Sequence, residues 1–418
     1  MKRTQLLSLA VALIALPAAS LAQAGKDPQI VLPDGFSATV FADGLDGIRG
    51  IAVSPDGNVY GRVRGRGLVA MQDRNRDGVA ETVRTVPGST KEGSGIGVYE
   101  GYLYYSTDSS VHRYRLQGGS LLPQGAPETI VEGLGNRGSH SSKMFTFDES
   151  GHIYVEVGSP TNALGEPDRA PGAEGFSDAK VEEHLAQFGG IWRFDADKKG
   201  QKQSDGLRFS TGHRHILTLA WKPEVDAIFA VQNGRDVINV VDPTFSVEYN
   251  AERVAEEMHV IRQGANLGWP YTYYDPIDDK RLFSPEYGGD GKKGPEAGRF
   301  QDPSIDFPAH WAPMQMALYD KTQFPERYHG GAFVAFHGSW NRAPEQKGYN
   351  VCFIPVGADG LPTGEWDVFA DGFIGKERIV SPGEADYRPM GVAVGPDGSL
   401  YIGSDHGGRV WKVTYRGK

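Results

Sequence analysis

Cysteine is almost missing from this chain: Cys352 is the only one in 418 residues, so no internal disulfide can brace the fold. It lies in the apolar, strand-like run Tyr349 to Val356 and reads as a small buried hydrophobe. An excess of positive charge is missing as well. The net charge is -10, which argues against nucleic acid and anionic membrane surfaces as partners. Long apolar runs are confined to the N-terminus. There Lys2 and Arg3 precede the apolar stretch Leu6 to Leu16, Pro17 breaks it, and Ala22-Gln23-Ala24 forms a small-residue cleavage site. The stretch is too short for a membrane span. Residues 1–24 are therefore expected to be a signal peptide, leaving residues 25–418 as one periplasmic or secreted domain without membrane insertion. Their removal takes away two positive charges and no negative one, so the net charge moves from -10 to -12.

Long amphipathic helical patterns are also scarce. The chain has 56 Gly and 26 Pro, and apolar residues alternate between turn signals, which points to one large all-β architecture. A degenerate repeat sharpens this. Gly50-Ile-Ala-Val-Ser-Pro-Asp-Gly-Asn-Val-Tyr60 and Gly391-Val-Ala-Val-Gly-Pro-Asp-Gly-Ser-Leu-Tyr401 each read as strand, Pro-Asp-Gly turn, strand. Looser copies begin at Ile96, Met144, Leu219 and Met316, and third strands follow at Val111, Gly190 and Arg409. Six such units predict a six-bladed β-propeller with long loop insertions on one face. Phe36 to Phe41 is expected to close the ring as the outer strand of the last blade, removing a free edge. The insertions are 160–187, with a short helical patch near Val181 to Ala186, and 270–310. Loops of that length are functional or disordered, and these are expected to wall a cleft.

In a propeller, ligands sit at the channel mouth, on the loops flanking the inner strands. Polar residues recur there: Gly138-Ser-His140-Ser-Ser-Lys143, Gly212-His213-Arg214-His215, Gln232-Asn-Gly-Arg235-Asp236, His337-Gly-Ser-Trp-Asn341-Arg342 and Asp386-Tyr387-Arg388. Equivalent positions in different blades converge on one axis. Clustered Arg and Lys on an acidic protein imply a multiply anionic ligand, and a neutral His among them is a candidate general base.

These motifs, with Gly264-Ala-Asn-Leu-Gly-Trp-Pro270 and Tyr387-Arg388-Pro389, resemble the sorbosone dehydrogenase group of pyrroloquinoline quinone (PQQ) dependent sugar dehydrogenases, related to soluble aldose and glucose dehydrogenases. The resemblance implies a quinoprotein that oxidises a sugar or sugar aldehyde by hydride transfer to PQQ. It implies that His140 is the catalytic base and that Arg214 and Arg388 bind the cofactor. His215, Lys143 and Arg342 are further cofactor-binding candidates, Arg342 standing in for a lysine of some relatives. Calcium would take backbone carbonyls of Gly234 and Arg235. A separate quinone or cytochrome would accept the electrons. Where glucose-oxidising relatives carry an acidic partner for the histidine, this chain has Ser159-Pro160-Thr161-Asn162, so the resemblance does not supply that partner.

Asp73-Arg-Asn75-Arg-Asp77-Gly78-Val79-Ala80-Glu81 has oxygen-bearing side chains at alternate positions and Gly at the sharp turn, as calcium loops do. An acidic β-turn is the competing reading. Two other functions are compatible with a propeller. A metal-dependent lactonase would need converging Glu, Asn and Asp side chains, which these channel motifs do not show. A non-catalytic glycan-binding propeller would use aromatics such as Trp269-Pro-Tyr-Thr-Tyr-Tyr274 for stacking.

Overall fold

The computed structural model describes Asp27 and residues 29–90, 92–342 and 345–417; the signal-peptide reading falls outside them. Six antiparallel sheets, each of four blade strands, surround one axis. Their inner strands are Ile48–Val53, Ile96–Tyr99, Phe145–Phe147, Thr218–Lys222, Pro313–Leu318 and Pro389–Val394, each beside the next around the ring. Every repeat unit read from the sequence is the inner hairpin of one blade. The Pro-Asp-Gly turns explain why: Gly57 and Gly398 adopt φ of 86° and 82°, which only glycine enters without cost.

The ring closes through Phe36–Ala42, which pairs antiparallel with Val410–Tyr415. Its first residue also stacks edge-on against Phe324 and Phe369 of the neighbouring fifth blade, at 4.8 and 5.1 Å. The closing strand thus joins two blades rather than one. Cys352 lies in Asn350–Ile354, fully buried, and burial pushes its thiol well above the ordinary range.

The axis is filled. Gln315 reaches from the fifth blade to the first, where its Nε2 donates to Ile51 O at 2.8 Å. Its Oε1 accepts from Ile51 N at 3.0 Å and from Val392 N, in the sixth blade, at 3.3 Å. Met144, Met314 and Met390, at the inner edges of the third, fifth and sixth blades, share one buried cluster. Unbranched methionine fills such a shared centre readily.

Both insertions are ordered and pack on each other. The first carries the helix Asp178–Leu185, where the sequence placed its helical patch. Leu164, Val181 and Leu185 surround Trp269, with Tyr271 and Tyr287 against them, and Tyr271 donates to Asp178 at 2.9 Å. The second insertion is shorter than expected: Ile305–Phe307 returns to the sheet as the outer strand of the fourth blade, paired with Glu256–Ile261.

Candidate functional site

His140 sits just before the inner strand of the third blade with φ of 60°, a left-handed conformation that costs energy outside glycine. Its Nδ1 lies 2.6 Å from the carbonyl oxygen of Ser159. A carbonyl only accepts, so Nδ1 carries the proton and Nε2 presents its lone pair. Burial, reinforced by the nearby Arg214 charge, holds the imidazole well below the ordinary histidine range. His215 stacks on this ring at 4.7 Å, and its own Nδ1 reaches the buried Glu156 at 3.1 Å. Lys143 is fully buried, donates to Ser141 O at 2.6 Å, and is lowered to about 8 by burial despite Glu156.

Arg214, in the fourth blade, is pinned by its neighbours. Its Nε donates to Asn162 Oδ1 at 3.2 Å, and its Nη2 pairs with Asp236. Asn162 also accepts from Asp236 N at 2.8 Å and donates to Asp236 O at 2.9 Å. Asn341 donates to the other oxygen of Asp236 at 3.3 Å. Burial would raise the Asp236 carboxyl, but the Arg214 charge and its neighbours outweigh this and keep it ionised. Between Asp236 and Ile238, Val237 holds φ of 47°. That is a genuine outlier for a β-branched residue, and side chains of Asn162 and Asn250 bond the amides on either side of it.

Gly234 and Arg235 precede this knot. Gly234 N donates to the buried Glu256 at 2.8 Å, and Arg235 is clamped by Glu286 of the second insertion, with Nη2 to Oε1 at 3.0 Å. Among the described residues, neither the Gly234 nor the Arg235 carbonyl accepts a hydrogen bond. Two oxygens held rigid and unused suit a hard cation. No group of three or more His, Cys, Asp or Glu side chains placed to hold a metal ion occurs among the described residues.

On the far side of the mouth, Arg388 donates from Nε to His337 O at 3.0 Å and from Nη2 to Gly338 O at 2.7 Å. His337 Nε2 meets Asp405 at 2.6 Å, and Arg49 meets the other oxygen of Asp405 at 3.2 Å. Burial lowers Arg49, and the charges of Arg64 and Arg388 add to the effect. One carboxylate therefore faces several guanidinium groups, an arrangement that favours a further anion.

His140, His215, Lys143, Arg214, Arg388 and the carbonyls of Gly234 and Arg235 thus line the mouth loops of blades three to six. Arg342 faces elsewhere. Its Nη1 is consumed by Ala251 O and Ala309 O at 2.6 and 3.0 Å, and its Nη2 by Glu252 at 2.5 and 2.6 Å. It staples two connections together, and little of it is left to meet a cofactor. The expected stacking run is mostly internal: Trp269, Tyr273 and Tyr274 are buried and Tyr271 half-buried, and Trp269 Nε1 donates to Asn162 O at 2.8 Å.

Asp73, Asn75 and Asp77 lie at the outer rim of the first blade. There their side chains accept from Gly78 N, Asp77 N and Val79 N, each at 2.9 Å. These are the bonds of an acidic turn, and a metal held there would be structural. The sequence reading missed Arg49, Glu156, Asn162 and Asp405 as site residues. A signal existed for two of them: aligning Tyr60 with Tyr401 brings Arg64 onto Asp405, at the mouth end of each second strand, with Arg49 one residue before the repeated Gly50.

Fold and site together define a six-bladed propeller with a histidine- and arginine-lined mouth. Residues 30–416 match the TrAA12-like family, and the chain belongs to it. It is similar to a PQQ-dependent pyranose dehydrogenase of Coprinopsis cinerea, 23% identical over 423 residues that span 92% of this chain and 54% of that protein. The chain thus spans about half the length of that relative. Among solved structures, family AA12 of Trichoderma reesei in its calcium form has a TM-score of 0.75 at 18% identity, covering 94% of this chain and 99% of that one. The holo PQQ domain of the Coprinopsis enzyme gives 0.71 at 20%, covering 93% and 98%. The apo soluble aldose sugar dehydrogenase of Escherichia coli gives 0.59 at 18%, covering 91% and 100%. These likenesses show that the chain shares the propeller fold of AA12 and the sugar dehydrogenases. They do not single out the sorbosone group.

Proposed function

We propose that this protein is an exported oxidoreductase that uses PQQ and calcium to oxidise a sugar or sugar-derived aldehyde. The observation that carries the reading is His140, with Nδ1 bonded to Ser159 O at 2.6 Å and its ring held neutral. That leaves Nε2 to take the proton of a sugar hydroxyl as hydride leaves the adjacent carbon. Ser159 O fixes the His140 tautomer, and His215, itself bonded to Glu156, stacks beside it, so His140 needs no acidic partner of its own. Three carboxylates on a ligand match the mouth arginines: Arg388 and Arg49 on one side, Arg214 on the other. The free carbonyls of Gly234 and Arg235 would hold calcium, whose remaining ligands would come from the cofactor. When bound, PQQ supplies the two-electron acceptor and calcium polarises it.

Support also comes from the relatives named for PQQ-dependent sugar oxidation. The sugar itself, a sorbosone-like aldehyde included, is to be found by screening, and a separate quinone or cytochrome would take the electrons. The test is reconstitution of purified protein with PQQ and calcium, with dye reduction followed over aldoses, sugar aldehydes and lactones. Sugar-dependent reduction that requires both additions is expected. Failure of PQQ to bind, with Arg214→Ala and Arg388→Ala no different from the parent, would sink the reading. The loss of one charge-assisted contact should otherwise weaken PQQ binding by about 1.5–3 kcal/mol.

A further inference from the structure

We infer that Trp340 is the platform on which the apolar face of a sugar ring stacks at this mouth; the inference rests on the sugar-oxidising reading above. The chain has seven tryptophans. Six are buried or half-buried, whereas Trp340 is 61% exposed. The exposure is not that of a loose loop, because the segment on both sides is tied inward. The carbonyls of His337 and Gly338 hold Arg388. Ser339 Oγ accepts from Asn341 N at 2.9 Å, and Asn341 bonds both Asp236 and Asn250. Ser339, Asn341 and Arg342 are buried. An indole is therefore displayed from a fixed backbone that connects the Arg388 side of the mouth to the Asp236–Arg214 knot.

The chemistry of the display selects its occupant. A protein partner would need a broad patch with several apolar anchors, and the chain neighbours of Trp340, Ser339 and Asn341, are polar and buried. A sugar ring is small and amphipathic, with a C–H face that packs on an aromatic plane and a rim of hydroxyls for the polar groups around it. Of the aromatics that sequence alone suggested for this task, Trp269, Tyr273 and Tyr274 are used up in the core, and the half-buried Tyr271 is tied to Asp178 and Tyr287. Trp340 takes their place, and it sets sugar affinity without taking part in proton or electron transfer.

Iodide quenching of tryptophan fluorescence tests this directly, since iodide reaches the exposed indole first. The protein is reconstituted with PQQ and calcium, and quenching is titrated with and without D-glucose, D-galactose or cellobiose. At least one sugar should protect the parent from iodide, and the protected component should vanish in Trp340→Ala. With that sugar as donor, Trp340→Ala should raise KM at least tenfold while kcat and PQQ affinity stay within twofold. Trp340→Phe should recover most of the loss. Protection that persists in Trp340→Ala, an unchanged KM, or lost PQQ binding in both variants would overturn the platform. Sugar protection without dye reduction would retain the platform and reject the redox reading. Dye reduction with an unchanged KM would do the reverse.

Discussion

His140 makes the residue-scale case, because its role rests on one hydrogen bond. Replacing it by Gln should leave folding and PQQ binding intact. Turnover should fall by about two to four powers of ten, the usual worth of a general base. Stopped-flow reduction of the bound quinone checks this, and parent-like rates in the variant would remove His140 from the chemistry. The pH profile gives a second check. Since burial keeps the ring neutral, the acidic limb of kcat/KM should lie well below the ordinary histidine value of 6.5. A limb at 6.5 would mean an ordinary solvated imidazole. The candidate histidine was readable in Gly138-Ser-His140 because it precedes an inner strand. Its partner was not, because a backbone carbonyl leaves no signature in sequence. Arg342 shows the same limit from the other side: its motif is plain, but its direction is set by Glu252, ninety positions earlier.

At the scale of elements, the hairpin repeat declared itself through alternation and Pro-Asp-Gly turns, and all six inner hairpins follow from it. The insertions did not, since their order comes from contacts with each other and with the fourth blade. Glu286 is the clearest instance. It belongs to the second insertion, is buried with Arg235, and fixes the segment whose carbonyls are candidate calcium ligands. Glu286→Ala strands a buried guanidinium and should cost about 3–5 kcal/mol in urea unfolding. Calcium affinity should fall with it. A variant as stable as the parent would show that the insertion merely rests on the blade. The closing strand poses the same kind of question at the opposite end of the chain. Deleting residues 27–42 should expose the edge of Val410–Tyr415 and open the aromatic contact to the fifth blade. Soluble, monomeric protein after that deletion would show that closure is dispensable.

For the molecule as a whole, acid sensitivity follows from buried histidines. His213 is lowered to about 3, and His184, His310 and His337 to about 4, in each case chiefly by burial. The unfolded chain, with ordinary values near 6.5, therefore binds more protons than the folded one. Stability from these groups is complete above pH 6.5 and drains away as pH falls toward 4. Glu256, raised to about 7 by burial, has the opposite sign: its contribution is full below 4.5 and is lost as pH rises through 7. Four groups outweigh one, so melting temperature should decline from pH 6.5 to 4 at fixed calcium. A flat or rising curve would contradict the burial of these rings.

The Gln315 bridge across the axis has a kinetic meaning. A propeller whose centre is bridged by one amide and a knot of methionines leaves the mouth as the doorway to His140. On the function proposed above, sugar, oxidised product and electron acceptor would all use this opening. Each turnover is then two successive visits, the second unable to begin until the first visitor has gone. Initial rates against sugar should give parallel lines at different acceptor concentrations. Excess of either partner should inhibit by occupying the form of the enzyme meant for the other. Dye acceptors small enough to share the doorway with sugar should show the weakest inhibition, and a protein acceptor the strongest.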